Sequence, residues 1–598
     1  MNNEGRVSGQ EKMTMVDWKA RIMTGVLAVL ALLGLLVAVH VGAAITPTGT
    51  EYSWNPAALA GAFLLHGAPW PEAATWTSFA AMILVVALFA FIMAKQAQWA
   101  TRKRNNGALA HMATKRQSAV LRAKARAKEA AHLHPNAEQL PPGERVGVLV
   151  GHGTRWVYQG WRDLGVYVFG TGRGKTSGLV IRHMIEAPGA AIMTSNKVDG
   201  VRETLAGRAG RGTAFIFDPN HIYRRETLPD FLFNPLDYIQ NASDARELAA
   251  IFEASTRKAS DRGGDSQFDT AGRDMLAYFF LAAALDHEPL SQVFAWFARA
   301  EGHLPEQILR RHGKKGPAAT IEGILSWPEK TKGSVYATAQ RMASALADDD
   351  LLAWTDTPGI RSFNPEEFIT SSDTLILLSK DGEGSGGAIL TALVRAICKT
   401  AERTAQSNGG RLDVPLVMEL DECANIVRWP ELPSVYSYYG SMGIMLNAYF
   451  QSRAQAIDAF GKEGWQTLWD AAAHRVYGGG SGDDDFLRAL AALIGDHDEI
   501  TYGSSTNRDG HTSTSTNTRK VNTLDIAALG SLPEWRAVLF TSKCRPVMVD
   551  TIPWFRDKAL KTIINRPLPP TTVAAAIPVN PDEPGIEDTA TEEVVTRG

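Results

Sequence analysis

The chain has 598 residues, a net charge of −3 and a hydrophobic fraction of 45%. This length exceeds what one hydrophobic core usually holds, so we expect several structural units of ordinary globular composition. The near-neutral charge neither requires nor excludes nucleic-acid binding, which only a local basic patch would support. The three cysteines, Cys398, Cys423 and Cys544, cannot all pair and lack metal-site spacing. They exclude a disulfide scaffold and predict reduced thiols in a cytosolic core.

The first 95 residues predict a membrane anchor. Apolar runs lie at 22–45 and 76–94, and ~20 such residues are enough to cross a bilayer. The alternative for the first run is a signal peptide, although the apolar core of a signal peptide is usually only ~7–15 residues long. The loop at 46–75 has no Lys or Arg, whereas basic residues are frequent just after residue 95. By the positive-inside rule, this pattern predicts a multi-pass protein of the inner (cytoplasmic) membrane with its large domain in the cytoplasm.

The segment 96–145 predicts a basic juxtamembrane helix followed by a polar linker that contains proline. Three interpretations of the basic helix stay open. It can dock on anionic lipid headgroups, it can bind nucleic acid, or it can simply follow the charge rule for membrane topology.

Short β-rich runs alternate with helical patterns through the rest of the chain. Such alternation predicts an α/β fold with a mostly parallel sheet, formed by 146–239 and 356–566. The segment 240–355 shows only helical spacing of its apolar residues and predicts an inserted all-α domain. The Ser/Thr-rich stretch 503–518 predicts a mobile loop. The segment 567–598 predicts a disordered acidic tail, which either recruits a partner or only solubilises the chain.

A glycine-rich turn follows the β-rich run 164–169 and opens a helical pattern. It predicts a phosphate-binding loop, because backbone N–H groups and a helix N-terminus wrap phosphates. Lys175 is expected to reach the β- and γ-phosphates of ATP, and Thr176 to ligate Mg²⁺. Phe169 stands where the pattern G-x-x-x-x-G-K-[ST] has its first glycine, which leaves open an altered loop or weaker binding. The candidate cofactor-binding residues are Gly170, Thr171, Gly172, Arg173, Gly174, Lys175, Thr176 and Ser177.

Two carboxylates, Asp421 and Glu422, directly follow another apolar run. Asp421 is positioned to hold Mg²⁺ together with Thr176, and Glu422 to polarise the attacking water. Their alternative role is to cap the next helix. Gln451 follows the run 444–450 and is predicted to sense the γ-phosphate or orient water; otherwise it is a surface residue of a loop. Lys175, Glu422 and Gln451 are therefore the candidate catalytic residues, and Mg²⁺ is the expected metal.

The stretch 420–455 resembles the TraG/TraD-like coupling proteins of type IV secretion and conjugation. That family has a strand-end LDE, then a pattern like F-A-N, a helix, a strand and F-Q-S. Here the matching residues are Leu420–Asp421–Glu422, Ala424–Asn425 and Phe450–Gln451–Ser452, with Cys423 where an aromatic residue is usual. The resemblance extends over about 145–560, through modest motifs in a specific order.

This resemblance implies a RecA-like P-loop motor with an inserted all-α domain, assembled as a homo-hexamer with nucleotide at the subunit interfaces. It implies a motor at the inner face of the membrane that uses ATP hydrolysis to pass a relaxase–DNA complex to the secretion channel components. DNA would be held through its phosphates, largely without sequence preference. A neighbouring subunit often supplies an arginine to the γ-phosphate in such rings. Arg453 and Arg475 are the candidates, and the alternative for each is a structural or surface role.

Two other functions stay open. An FtsK-type DNA translocase shares the motor core, but normally has a larger membrane region and a C-terminal DNA-reading domain. A catalytically weak scaffold that only recruits substrate would fit the departure at Phe169, although Lys175, Thr176, Asp421 and Glu422 are all retained. Within the favoured interpretation, the cargo can be protein without DNA.

Overall fold

The computed structural model describes residues 32–78, 80, 83, 108–152, 154–224, 228–256, 267–380, 386–506 and 512–567. The chain divides into two compact units, Met1–Ala108 and Leu109–Gly598.

The N-terminal unit contains helices at 32–45, Pro56–Leu64 and 72–78. Leu36, Val39 and Leu59 form its small core. Asn55 begins the second helix by accepting hydrogen bonds from the backbone N–H groups of Ala57 and Ala58, which caps the helix N-terminus.

The predicted membrane anchor is corrected by this unit. No helix within the described residues is long and apolar enough to cross a membrane. The described part of the first predicted span is the helix at 32–45, which is shorter than the ~20 residues that a crossing needs. Residues 22–31 and most of 76–94 lie outside the described residues. The predicted multi-pass location in the inner membrane is therefore wrong as far as the described chain goes.

An eleven-stranded sheet organises the second unit, in the order β2-β1-β13-β12-β9-β3-β8-β7-β4-β6-β5. Six of its ten strand pairings are parallel, which confirms the predicted α/β fold with a mostly parallel sheet. The strands, including a separate hairpin of β10 and β11, are β1 Glu144–Leu149, β2 Trp156–Gln159, β3 Gly165–Val168, β4 Ala191–Ser195, β5 Ala214–Phe217, β6 Thr374–Leu378, β7 Leu416–Leu420, β8 Ile444–Phe450, β9 His474–Tyr477, β10 Asp496–Thr506, β11 Thr512–Asn522, β12 Arg536–Thr541 and β13 Cys544–Asp550.

The parallel part of the sheet runs from β9 to β5, and its central strands are buried on both faces. This burial explains why they read as continuous apolar runs in the sequence. Strands β2, β1, β13 and β12 continue the sheet through antiparallel pairings. Because parallel strands end at the same edge, the residues after β3, β4, β7, β8 and β9 lie near one another.

Helices cover the sheet and form the segment between β5 and β6. Residues 242–352 contain no strand within their described part, and aromatic pairs such as Phe279 and Phe297 stack in the core of this segment. The α-helices of the second unit are α1 Ala123–Leu133, α2 Ile181–Glu186, α3 Val201–Arg208, α4 Ala242–Thr256, α5 Gln267–Asp286, α6 Leu290–Ala298, α7 His303–Arg311, α8 Lys315–Leu325, α9 Glu329–Met342, α10 Asp349–Leu352, α11 Pro365–Ile369, α12 Gly387–Ser407, α13 Cys423–Ile426, α14 Leu432–Val435, α15 Tyr439–Met442, α16 Arg453–Ala471, α17 Asp484–Ile494, α18 Ile526–Gly530 and α19 Lys558–Ile564.

The described part of the predicted basic helix is shorter than expected and partly buried. Arg126 of α1 is 1% exposed, and its guanidinium pairs with Asp163 at 2.9 Å and with Glu129 at 2.6 Å. Lys543 also contacts Asp163, at 2.8 Å. Burial alone would raise the pKa of Asp163, but His474, Arg126 and Lys543 hold it well below its usual range. Arg126 is thus a structural part of the fold rather than a free basic contact.

The predicted loop at 503–518 is wrong in its described part. Strands β10 and β11 pair antiparallel from Asp496 with Asn522 to Thr506 with Thr512. Threonine is common in strands because its branched side chain suits a pleated surface, and that preference outweighs the turn-forming serines here.

Candidate functional site

The glycine-rich turn leaves β3 at the carboxyl edge of the sheet and enters a π-helical turn, Thr176–Val180, that continues into α2. Gly172 and Gly174 have φ angles of +73° and +77°, which side-chain-bearing residues rarely adopt. The N–H of Gly170 donates to the carbonyl of Gly479 at 2.9 Å, so the turn is tied to the residues after β9.

Phe169, at the first glycine position of the pattern, is 1% exposed. Its N–H donates to the carbonyl of Phe450 at 3.0 Å, which continues the pairing of β3 with β8. Its ring lies against Gly478, where a Cβ atom would overlap the ring. The phenyl group is therefore packed beside the end of β9, and the turn from Gly170 to Lys175 remains on the cleft.

Asp421 and Glu422 follow β7 directly. Glu422 adopts a left-handed backbone conformation, with φ +54° and ψ +39°, before α13 begins. Such a conformation is uncommon for a residue with a side chain and is frequent at functional sites. The Thr194 hydroxyl donates to the Asp421 carbonyl at 2.6 Å, which fixes this strand end against β4.

The side chain of Lys175 lies between the two carboxylates. Its Nζ contacts Glu422 Oε1 and lies 3.1 Å from Asp421 Oδ1. Gln451 Nε2 donates to both oxygens of Glu422, at 2.8 and 2.9 Å, and its Oε1 accepts from Thr171 Oγ1 at 3.3 Å. Three segments that are distant in sequence, the glycine-rich turn, the end of β7 and the end of β8, thus meet through one chain of polar contacts.

The donor set at Thr176 and Asp421 fits Mg²⁺. Thr176 Oγ1 donates to Asp421 Oδ2 at 2.5 Å, so two oxygen ligands of the kind that Mg²⁺ prefers already converge. Burial raises the pKa of Asp421, while the Lys175 ammonium and the Thr176 hydroxyl oppose that rise. A divalent cation would stabilise the ionised form of Asp421 further, because it adds positive charge beside the carboxylate.

A cleft of ≈ 1090 Å³ opens at this edge of the sheet. The predicted residues from Gly170 to Ser177 line it, together with Asp421, Glu422 and Gln451. Other walls come from residues that the sequence did not single out, which are Trp535, Trp554, Phe555, Tyr223, Arg202 and Glu203. The structure therefore brings all predicted binding, catalytic and metal residues to one cleft.

The two candidate arginines do not line this cleft. Arg453 pairs with Asp483 at 3.1 Å and lies over the Phe486 ring. Arg475 lies over the Trp469 ring. Within one chain, both arginines therefore have the contacts of structural residues. A structural role was the alternative to contact with the γ-phosphate of a neighbouring subunit.

A second polar group lies between the sheet and α2, and no sequence motif pointed to it. Donor atoms of Glu144, His183 and Glu419 all lie within 4.8 Å of one another. His183 Nε2 is 3.0 Å from the Arg145 carbonyl, which can only accept, so Nε2 carries a proton. Its Nδ1 lies 3.2 Å from Glu419 Oε2, and Tyr449 donates to that same oxygen at 2.5 Å. We call Glu144, His183 and Glu419 the buried triad.

The buried triad is fully enclosed and shares protons. Burial, and then the charge of Glu419, raises the pKa of Glu144 to about 8. Burial alone would lower the pKa of His183, but Glu419 and Glu144 outweigh it and raise the pKa to about 9. Asn447 Nδ2 donates to both carboxylates, at 2.6 Å to Glu144 and 2.7 Å to Glu419. The only available sequence signal was Glu419, a charged residue within an apolar strand.

Comparisons with known proteins agree with the motifs. Residues 415–534 match the family model described as the TraM recognition site of TraD and TraG. No match to the chain was found among curated proteins. The unbound monoclinic structure of the bacterial conjugative coupling protein TrwBdeltaN70 matches with a TM-score of 0.51 and 16% identity, over 70% of this chain and 90% of that one.

A second structure of plasmid coupling protein TrwB, in complex with ADP and Mg²⁺, matches with a TM-score of 0.49 and 17% identity, over 70% of this chain and 91% of that one. At such identities, the first match shows a shared fold. The predicted resemblance is confirmed for residues 415–534, which match the TraD and TraG family model, and the chain shares the fold of the coupling protein TrwBdeltaN70.

Proposed function

We propose that this chain is the ATP-hydrolysing motor of a conjugation or type IV secretion coupling complex. The observation that carries the proposal is the convergence of Lys175, Thr176, Asp421, Glu422 and Gln451 at one cleft. Each has the chemistry that its role in phosphoryl transfer needs. Lys175 and Thr176 reach the cleft from the turn after β3, Asp421 and Glu422 from the end of β7, and Gln451 from the end of β8.

The ion pair between Lys175 and Glu422 would break when ATP binds. Without nucleotide, the Lys175 ammonium neutralises Glu422. When ATP enters, Lys175 contacts the β- and γ-phosphate oxygens instead, and the Glu422 carboxylate becomes free to accept a proton from the attacking water. Gln451, whose amide donates to both Glu422 oxygens, keeps that carboxylate oriented during the exchange.

Thr176 and Asp421 would hold Mg²⁺ through the hydroxyl and carboxylate oxygens that already converge. The ion supplies neutralisation of the charge that develops on the phosphate oxygens. Asp421 is kept in place by the Thr194 hydroxyl, and Thr176 by the helical turn that it begins.

The coupling role rests on family resemblance. The matched segment 415–534, described in TraD and TraG as a TraM recognition site, supports docking of a protein of the DNA-processing complex. We propose that the chain receives a relaxase–DNA or protein substrate, holds DNA largely without sequence preference, passes the substrate to the secretion channel components, and works as a homo-hexamer.

ATP hydrolysis by the full chain, with and without DNA, tests the proposal. Wild type should hydrolyse ATP faster when DNA is present, and Lys175→Ala should abolish both binding and turnover. Lys561→Ala, an exposed lysine that does not line the cleft, is the matched control and should behave as wild type. If wild type binds ATP and its turnover equals that of Lys175→Ala, the motor proposal fails and a substrate-recruiting scaffold is the better account.

A further inference from the structure

Trp535 and Phe555 form an aromatic wall of the cleft. Trp535 packs on the glycine-rich turn: its ring overlaps the place where a Cβ of Gly174 would lie, and it is 3.6 Å from a Cβ position on Gly178. Only glycine at position 174 therefore lets the indole lie directly on the phosphate-binding turn. Phe555 meets the Trp535 ring edge-on, with centroids 5.8 Å apart.

The backbone holds this wall in an unusual conformation. Trp535 has a φ angle of +63°, a genuine outlier for a bulky residue. Its carbonyl accepts hydrogen bonds from the N–H of Thr551 at 2.8 Å and from the Thr551 hydroxyl at 3.2 Å. Strain of this kind persists only where the surroundings impose it, and it is concentrated at binding sites.

The wall is also fixed to the helix that follows the phosphate-binding turn. Arg182 of α2 is fully buried, and it donates to the Ile552 carbonyl at 3.2 Å and to Asp557 at 3.0 Å. Ile552 and Asp557 lie on either side of Phe555 in sequence. The Arg182 side chain therefore holds the segment that carries Phe555 against α2.

Phe555 nevertheless remains 41% exposed, although it is a large apolar residue and lines the cleft. A flat aromatic surface that is rigidly mounted, partly uncovered and adjacent to a phosphate site is suited to a heteroaromatic ring, because such rings stack on aromatic side chains.

We propose that Trp535 and Phe555 form the base subsite of the cleft, at which the heteroaromatic base of a nucleoside phosphate stacks. This inference rests on the proposed function, since it takes the phosphates to lie on the turn from Gly170 to Ser177. Gly174 and Gly178 place the indole beside the start of the helix, while Thr171 contacts Gln451 at the beginning of the turn. The base would thus lie on the side of the turn that Gly174 and Gly178 form.

Calorimetric titration of the full chain with ADP and with inorganic pyrophosphate, both with Mg²⁺, separates the base from the phosphates. Phe555→Ala should weaken ADP binding about tenfold, the effect of removing one stacking partner, and leave pyrophosphate binding unchanged. Trp535→Ala should weaken ADP binding as well, and Trp535→Phe should restore most of it because a phenyl ring also stacks. Tyr438→Ala, an exposed aromatic residue away from the cleft, should change neither affinity.

The outcomes are distinct. If wild type binds neither ADP nor pyrophosphate, the nucleotide site itself fails. If wild type binds both, and Phe555→Ala changes the two affinities equally or not at all, the base subsite is overturned while the nucleotide site stands. Circular dichroism of each variant shows whether the fold is kept, and Phe555→Ala is expected to keep it because that side chain is exposed.

Discussion

Two carboxylates and one basic side chain meet twice around strand β7. Asp421, Glu422 and Lys175 lie just beyond its end and line the cleft. The buried triad of Glu144, His183 and Glu419 lies between the sheet and α2, with side chains no more than 1% exposed. The chemical groups are nearly the same, but the first set can exchange its internal ion pairs for a ligand from solvent. The second set can only redistribute its protons. Access to solvent therefore distinguishes the cleft residues, which can bind a ligand, from the buried triad, which is structural.

Removal of divalent metal should produce the largest difference in response between the cleft residues and the buried triad. EDTA should abolish ATP hydrolysis, since Thr176 and Asp421 would lose Mg²⁺, and it should leave the Tm without nucleotide unchanged. In the buried triad, the raised pKa values of His183 and Glu144, about 9 and about 8, let protons balance the buried charge without a metal. Malachite-green phosphate release and thermal melting measure the two effects. A fall in Tm on chelation, reversed by added metal, would show that the buried triad holds an ion.

Neutralising the cleft carboxylate should act on turnover alone. Glu422→Gln should lower kcat by about 10²–10⁴-fold, the usual effect of losing a general base, while ATP affinity is kept. Glu419→Gln, three residues earlier and within strand β7, should still hydrolyse ATP at temperatures where it is folded. Steady-state kinetics measure turnover, and a separate titration measures nucleotide binding. Equal loss of turnover in both variants would contradict the distinction between the cleft and the buried triad.

Removing the buried carboxylate should act on stability. Glu419→Ala leaves charged His183 without its closest partner and removes an acceptor of Tyr449 and Asn447. Loss of one member of a buried ion pair typically costs about 3–5 kcal/mol in the free energy of unfolding. Urea unfolding measures it. Glu499→Ala, an exposed glutamate of the hairpin, is the control and should change little.

The smallest effect concerns pH. Because the pKa of Glu144 rises from 4.5 to about 8 on folding, the folded state binds this proton more tightly than the unfolded chain. Its contribution to stability is complete below pH 4.5 and is lost as pH rises to about 8. Glu144→Gln removes this titration, so the stability of wild type should fall relative to the variant over that interval. Tm is measured against pH for both proteins. If the two curves run parallel between pH 4.5 and about 8, the raised pKa of Glu144 is refuted.

The polar residues of the cleft could be predicted from the sequence because the patterns that identify them, short motifs and the ends of apolar runs, are local. Asp421 and Gln451 each follow an apolar run, and parallel strands end at one edge, so their proximity could be expected without knowing the strand order. The fold was predicted in its parallel part for the same reason. Strands β9 and β12, which pair with each other where the parallel part of the sheet meets the antiparallel part, were not recognised, because their apolar runs are brief and their partners are set by tertiary pairing.

The buried triad and the aromatic wall were not predictable in this way. Glu144, His183 and Glu419 come from three distant segments, and only the finished sheet places them together. Trp535 and Phe555 have no spacing that relates them to the glycine-rich turn, and their position depends on Gly174 and on the contacts of Arg182. In both cases the deciding interaction is long-range packing, for which a single sequence carries no periodic signal.

The packing of Phe169 against Gly478 makes two distant positions depend on each other. The ring occupies the volume that any side chain at position 478 would need, so each residue limits the choices at the other. In chains of this fold with glycine at the position of Phe169, the counterpart of Gly478 is free to carry a side chain. The two positions should therefore covary, and a search pattern written for the pair would recover chains of this fold that the glycine-first pattern alone overlooks.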